Sequence, residues 1–330
     1  MLLVILAHAR LPFGVGGFIG VDVFFVISGY LITGLLLGEL ATTGRLDYPR
    51  FIARRLRRLL PAMLVVLSTT FVVAAALLTP REVLDASRSM PWALSWTSNF
   101  YFTFSDFDYF GSVAVDDLFL HTWSLGVEEQ FYLVWPLLLA VVMFARRSGA
   151  GDGRHRFGLF FVVIGLAGFA LCLFVGERAP LASFYLMPSR AWQFAAGALV
   201  FVLRDFGHAA VGDLRRRLAS PVVSGGCTAI GLVLILASAA LISPHMRYPG
   251  VSALWPTLGA MLVLLGGTHA GSAGATTALG SAVLAWIGDR SYSLYLWHWP
   301  VFSLVAAFGL MDQWPFVLAA VVLSMGLAAV

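Results

Sequence analysis

Lysine is absent from this sequence: all 21 basic side chains are arginine. Charge of either sign is scarce, at 12% of residues, where a soluble domain carries about 25%. With 60% hydrophobic residues and a mean hydropathy of +0.88, a water-soluble fold would have nowhere to hide its apolar surface. Cysteine is nearly missing as well. Cys172 and Cys227 each sit inside an apolar run, which argues against a disulfide framework and leaves each as a small buried hydrophobe. No zinc-type spacing is present, and no metal is expected. The net charge of +4 does not signal nucleic acid, because the arginines cluster in short stretches beside apolar segments, as they do in cytoplasmic loops of membrane proteins.

What the chain does have is long apolar runs. A membrane-spanning helix needs about 20 such residues. Spans are expected near 1–13, 17–37, 59–79, 119–144, 158–175, 187–203, 221–242, 250–268, 291–310 and 314–330. The fold class is therefore all-α, a polytopic transmembrane bundle of about ten spans in a single domain, 1–330.

Loop charge orients it. Residues 45–58 carry Arg45, Arg50, Arg54, Arg55, Arg57 and Arg58 against Asp47 alone, which places that stretch in the cytoplasm. Counting spans onward, 145–157 (Arg146, Arg147, Arg154, Arg156) and 204–220 (Arg204, Arg215, Arg216, Arg217) also fall inside. Segment 80–118 falls outside, and its acidic residues (Glu82, Asp85, Asp106, Asp108, Asp116, Asp117) outnumber Arg81 and Arg88. Residues 89–104, SMPWALSWTSNFYFTF, are apolar and aromatic. A crossing there would invert the later loops, so an interfacial or re-entrant segment is expected. The runs at the two ends, before Gly14 and up to Val330, read as incomplete helices. Residues 1–13 lack the basic start and small-residue cleavage site of a signal peptide.

A charge inside a span costs about 3 kcal/mol at its centre and is a functional hypothesis by default. His8 lies in the first span, either as a neutral imidazole bonded to a neighbouring helix or as a general base or proton relay. In GGFIGVDVFFVISGYLIT (16–33), Asp22 must be paired or lie beside water. Ser28 and Gly29 are small enough to let helices approach. In HTWSLGVEEQFYLVWP (121–136), Glu128 and Glu129 sit well inside the span, and His121, seven residues before Glu128, shares its helical face. In GDRSYSLYLWHWPVF (288–302), His298 follows Tyr295 by three residues, on one face. In FIARRLRRLLP (51–61), the arginines serve as a topology signal or as a phosphate clamp, since guanidinium grips phosphate with a bidentate fork.

Together with MPSRAWQFAAGALV, these segments in this order resemble the acyltransferase-3 family, the bacterial multi-span O-acyltransferases of surface glycans. The resemblance runs over nearly the whole chain. It implies a cytoplasmic acyl-CoA donor, acetyl-CoA in most members. It also implies an acceptor hydroxyl outside, on a glycan such as lipopolysaccharide O-antigen or peptidoglycan or on a lipid-linked saccharide, and residence in the bacterial cytoplasmic (inner) membrane among its lipids. The family's first-span His matches His8; its Arg, eleven positions earlier, would precede Met1, so a chain truncated at both ends is expected. The Arg-x-x-Arg element matches Arg55 and Arg58, flanked by Arg54 and Arg57. The carboxylates match Glu128 and Glu129, and the final motif matches Tyr295 and His298. Arg190, Ala191 and Trp192 match the Arg-Ala-Trp-Glu element, but Gln193 replaces its Glu. Many relatives add an SGNH-type domain at the C-terminal side.

The expected mechanism gives His8 the base or nucleophile role, with Glu128 or Glu129 orienting a histidine. Arg54, Arg55, Arg57 and Arg58 hold the CoA phosphates. His298 is counted with the catalytic residues, and Asp22, Ser28, His121, Arg190 and Tyr295 line the path. A proton-coupled exporter of a lipid-linked or acylated intermediate is the competing reading, and a non-catalytic scaffold a third.

Overall fold

The computed structural model describes residues 1–9, 15–105, 109, 117–147, 153–204, 220–243, 245–267 and 278–329. Arg215, Arg216, Arg217, Asp106, Asp108 and Asp116, used above to orient the chain, lie outside the described residues, as do the side chains of Arg146, Arg147 and Arg154. Among the described residues all regular structure is helical. The chain opens with α1 (Leu2–His8), followed by α2 (Gly20–Thr43), α3 (Tyr48–Leu77), α4 (Pro80–Leu94) and α5 (Ser98–Phe104). Then come α6 (Trp123–Arg147), α7 (Gly153–Arg178), α8 (Pro180–Tyr185), α9 (Ala191–Arg204) and α10 (Pro221–Leu241). The last four are α11 (Leu254–Gly266), α12 (Ala282–Asp289), α13 (Ser291–Ala307) and α14 (Trp314–Ala328).

Five stretches, Gly17–Thr43, Tyr48–Leu77, Leu120–Met143, Arg156–Arg178 and Pro221–Leu241, are long and apolar enough to cross a membrane. The other expected spans contain shorter helices: α1, α9, α11, α13 and α14. The protein is a helical, multi-pass membrane bundle. Its helix ends follow local chemistry. Gly44, with φ 72°, stops α2 in the left-handed region that glycine enters freely. Asp47 caps α3 by accepting the Arg50 N–H at 3.1 Å, so α3 begins far earlier than the apolar run suggested. The arginine cluster therefore sits on its first turns and not in a loop.

The aromatic segment 89–104 is broken in two. α4 starts with a reciprocal Thr79–Glu82 capping box and ends at Leu94; α5 begins four residues later. Between them Trp96 takes φ 53°, a conformation unusual for a non-glycine residue. Its carbonyl accepts from Gln130 Nε2 at 3.4 Å and lies where only Gly126 fits on α6, since a Cβ there would stand 2.9 Å from it. Neither piece has the length of a span.

Glycine sets the central helix crossing. A Cβ on Gly29 would collide with the Phe194 backbone, and one on Gly197 with the Val26 carbonyl and the Tyr30 N–H. Thus α2 and α9 pack backbone to backbone, as small residues allow between membrane helices. This contact brings Asp22 on α2 beside Arg190, immediately before α9. A Gly197→Leu substitution is expected to lower the melting temperature in detergent by many degrees. Gly38→Ala, where nothing lies within 4 Å, should be neutral or slightly stabilising by removing glycine's entropy cost in a helix. Thermal unfolding of the two variants checks this.

Candidate active site

The bundle gathers its polar side chains into two clusters. The first surrounds His8 and His298. On α13, His298 Nδ1 lies 2.6 Å from the Tyr295 carbonyl oxygen. A carbonyl only accepts, so Nδ1 carries the proton. His298 Nε2 is 3.2 Å from His8 Nδ1. A doubly protonated His298 would be an unpaired cation in an apolar interior, which is costly, so Nε2 accepts and His8 Nδ1 donates. His8 Nε2 is then a bare lone pair, and the Tyr109 hydroxyl donates to it at 3.2 Å. The order carbonyl, His298, His8, hydroxyl is that of an oriented base holding an O–H.

Aromatic rings enclose this chain of bonds. Trp299 meets His8 edge-on at 4.7 Å between centroids, and its indole N–H donates to the Asp117 carbonyl at 2.9 Å. The Asp117 carboxylate accepts from Ser89 at 3.0 Å and from the Phe119 N–H at 2.8 Å. It thereby fixes the 3-10 turn Leu120–Thr122 that carries His121. The His121 ring lies 5.7 Å from His298 and stacks on Trp299. Both of its ring nitrogens are buried without a hydrogen bond. A polar group facing it is the Leu296 carbonyl, which lost its helical partner to Pro300. Tyr295 donates to the His121 carbonyl at 3.0 Å and lies 2.6 Å from the Ser124 hydroxyl.

Next to this cluster is a buried ion pair. Arg190 reaches Asp22 Oδ1 at 3.0 Å, with both residues 1% exposed. Gln193 donates to the same oxygen and Tyr248 to the other. The carboxylate accepts from every neighbour, as an anion does. Arg190 Nε also donates to the Phe184 carbonyl at 3.0 Å. The Gln193 that replaces the family's Glu is thus a donor to Asp22, a task for which an amide suffices. A narrow cleft beside this pair is lined by Asp22, Arg190, Trp123, Tyr248 and Tyr109 among others, and Tyr109 is the residue that bonds His8.

The second cluster lies on α2, α3 and α6. Glu128 accepts from Ser28 and from Tyr132. The Arg55 guanidinium sits 3.7 Å over the Tyr132 ring and 3.9 Å from Glu129. Arg54 pairs with Glu39 at 3.5 Å, while Arg57 and Arg58 are exposed. So the four arginines do not present one face: Arg55 turns inward and the rest line the mouth. Neither Glu128 nor Glu129 is hydrogen-bonded to a histidine among the described residues. The seven residues from His121 to Glu128 are two helical turns, roughly 10 Å along the axis. The group that orients His8 is His298.

Tyr109, Tyr248 and Trp123 were not legible as site residues. Tyr109 and Tyr248 stand in sequence with no apolar periodicity, outside the expected spans, and Trp123 reads as an interfacial aromatic. Tyr132 had a signal, standing one turn after Glu128.

The family model described as an acyltransferase domain matches residues 1–330, and the chain belongs to this acyltransferase-3 family. It is 30% identical over 305 residues to the peptidoglycan O-acetyltransferase OatA of Listeria monocytogenes, covering 91% of this chain and 47% of that protein. It is 32% identical over 313 residues to the putative peptidoglycan O-acetyltransferase YrhL of Bacillus subtilis, covering 92% and 47%. A putative O-acetyltransferase of Staphylococcus aureus is 30% identical over 317 residues, covering 94% and 50%. The chain spans about half the length of the curated relatives it matches. No solved structure matches it.

Two outcomes follow from this geometry. Breaking one side of a buried ion pair costs about 3–5 kcal/mol, so Arg190→Met should destabilise the protein strongly, and Arg190→Met combined with Asp22→Asn should recover part of the loss in thermal unfolding. Asp117 lies outside the spans, and burial pushes its carboxyl up to about 7, against the opposing hydrogen bonds from Phe119 and Ser89. The folded state therefore holds a proton that the unfolded state has lost above its ordinary acid range. The contribution of this group to stability falls as pH rises from about 4 to about 7 and is level above that. Melting curves at pH 5 and pH 8 should differ less in Asp117→Asn than in the wild type.

Proposed function

We propose that this chain is a membrane O-acyltransferase that passes an acyl group, acetyl in the first instance, from acyl-CoA on the cytoplasmic side to a hydroxyl of a surface glycan or lipid-linked saccharide on the outer side. Peptidoglycan, named in the relatives, is the favoured glycan, and the bacterial cytoplasmic membrane is the location. The observation that carries the reading is the bare Nε2 of His8, oriented by His298 and engaged with a hydroxyl.

In the reaction, the acceptor O–H takes the position of the Tyr109 phenol. Its proton passes to His8 Nε2 as its oxygen attacks the thioester carbonyl carbon. The tetrahedral intermediate collapses by breaking the C–S bond, and His8 returns the proton to the CoA sulfur. Atoms and charge balance with no further reactant. His298 acts as a positioning residue by holding His8 in the productive tautomer. On the donor side, Arg54, Arg57 and Arg58 meet the CoA phosphates at the mouth of α3, and the polar layer of Ser28, Glu128, Tyr132, Arg55 and Glu129 lies above them along the pantetheine path.

General base help is worth about 10²–10⁴ in rate. In proteoliposomes fed labelled acetyl-CoA, His8→Ala should lose acetyl release and transfer by about that factor while its membrane insertion stays near wild type. Transfer that continues at the wild-type rate would contradict the reading.

A further inference from the structure

Three arginines face outward at the mouth of α3: Arg54, Arg57 and Arg58. Among the described residues only Arg54 is paired with a carboxylate, that of Glu39, at 3.5 Å. Arg57 donates its Nε–H back to the Ala53 carbonyl at 3.2 Å, and neither it nor Arg58 meets an acid among the described residues. Glu39 belongs to α2, four residues before its end at Thr43. Its main chain is held there, since the Thr42 and Thr43 hydroxyls donate to its carbonyl at 3.0 and 2.8 Å. Its side chain bridges the connection to α3: Oε1 accepts the Asp47 N–H at 3.2 Å, and Oε2 accepts from Arg54 Nη2.

These two bonds ask different things of Glu39. The bond from Asp47 ties the start of α3 to the end of α2 and needs only an acceptor oxygen, which a glutamine amide also has. The bond from Arg54 is the one that uses the charge. The helix itself does not favour that charge, because the C-terminal end of a helix carries partial negative charge and α2 has no basic residue in its last turn. An anion thus stands at the mouth where an anionic donor is expected. The Glu39 side chain is 17% exposed and that of Arg54 43%, so solvent reaches the pair and it is weak enough to exchange partners. A phosphate offers a guanidinium a bidentate, charge-assisted grip, whereas the contact with Glu39 is single.

We propose that Glu39 competes with the donor's phosphates for Arg54 and so sets how readily CoA leaves the mouth. This rests on the acyltransferase reading, in which Arg54 meets those phosphates. Acetyl-CoA and the CoA left after transfer carry the same phosphates, so the reaction itself does not loosen the grip of the arginines. Glu39 does. Arg54 leaves the carboxylate for a phosphate oxygen when the donor docks and returns to it as CoA departs, while the Asp47 bond keeps the Glu39 side chain in place. Glu39 is a positioning residue: it acts through Arg54 and touches no reacting atom.

The test uses the full chain in proteoliposomes, with labelled acetyl-CoA as donor and Glu39→Gln, Arg54→Ala and the double variant beside the wild type. Glu39→Gln keeps an acceptor for the Asp47 N–H and removes only the charge. It should lower the KM for acetyl-CoA about twofold to fivefold, the range of an exposed ion pair, with no rise in kcat. The gain should shrink at high salt and largely vanish in the Arg54→Ala background. S-acetylpantetheine carries the thioester without any phosphate, and its half-saturating concentration should be the same in Glu39→Gln as in the wild type. As a measurement independent of turnover, the CoA concentration that half-saturates the rise in melting temperature in detergent should fall by the same factor as the KM. A KM for acetyl-CoA that is unchanged or higher in Glu39→Gln, a gain carried by kcat, a gain kept in full without Arg54, or an equal gain with S-acetylpantetheine would each overturn this role of Glu39 while leaving the acyltransferase reading in place. If the wild type shows no His8-dependent acetyl release, that reading falls, and the role of Glu39 falls with it.

Discussion

One carbonyl sets the chemistry of this site. The Tyr295 oxygen lies 2.6 Å from His298 Nδ1 and leaves that nitrogen no role but donor. Everything downstream follows by elimination: His298 Nε2 accepts, His8 Nδ1 donates, and His8 Nε2 faces a hydroxyl with its lone pair free. A carboxylate often performs this orienting task elsewhere. Here a second imidazole and a main-chain carbonyl perform it without placing a formal charge beside the base, which suits an interior where ions are expensive.

Charge is instead kept in two paired sets. Asp22 and Arg190 face one another close to the histidines, and Glu129 and Arg55 do so two turns further along α6. The glycines at 29 and 197 make the first arrangement possible, because α2 and α9 approach closely enough for Asp22 to reach Arg190. The second set depends on α3 beginning at Tyr48, which carries Arg55 inward against Tyr132 while Arg57 and Arg58 stay at the surface. Ser28 and Tyr132 donate to Glu128 beside the second set.

Much of this was legible in the sequence. Apolar runs separated by arginine-rich stretches marked the helical membrane class and ten of the described helices, but not α4, α5, α8 or α12. The cost of intramembrane polarity picked out His8, Asp22, His121, Glu128, Glu129 and His298 one at a time, and the structure brings His8, His121 and His298 together. The pairing was not legible. Periodicity relates residues on one helix face, so it linked His121 to Glu128, whereas the partner of His8 is 290 residues away. The start of α3 was missed because a charged amphipathic turn preceding an apolar run resembles a loop when hydropathy alone is read. Tyr109 and Tyr248 stand outside the expected spans, where no pattern exists to mark them.

The protonation pattern of His8 tests this account most directly. Solid-state nitrogen-15 NMR of histidine-labelled protein in bilayers, with His8 assigned by difference from a His8→Gln variant, reads which ring nitrogen carries the proton. The account predicts His8 protonated at Nδ1 and bare at Nε2. A His8 protonated at Nε2 would contradict it, because the nitrogen facing the hydroxyl could then accept no proton.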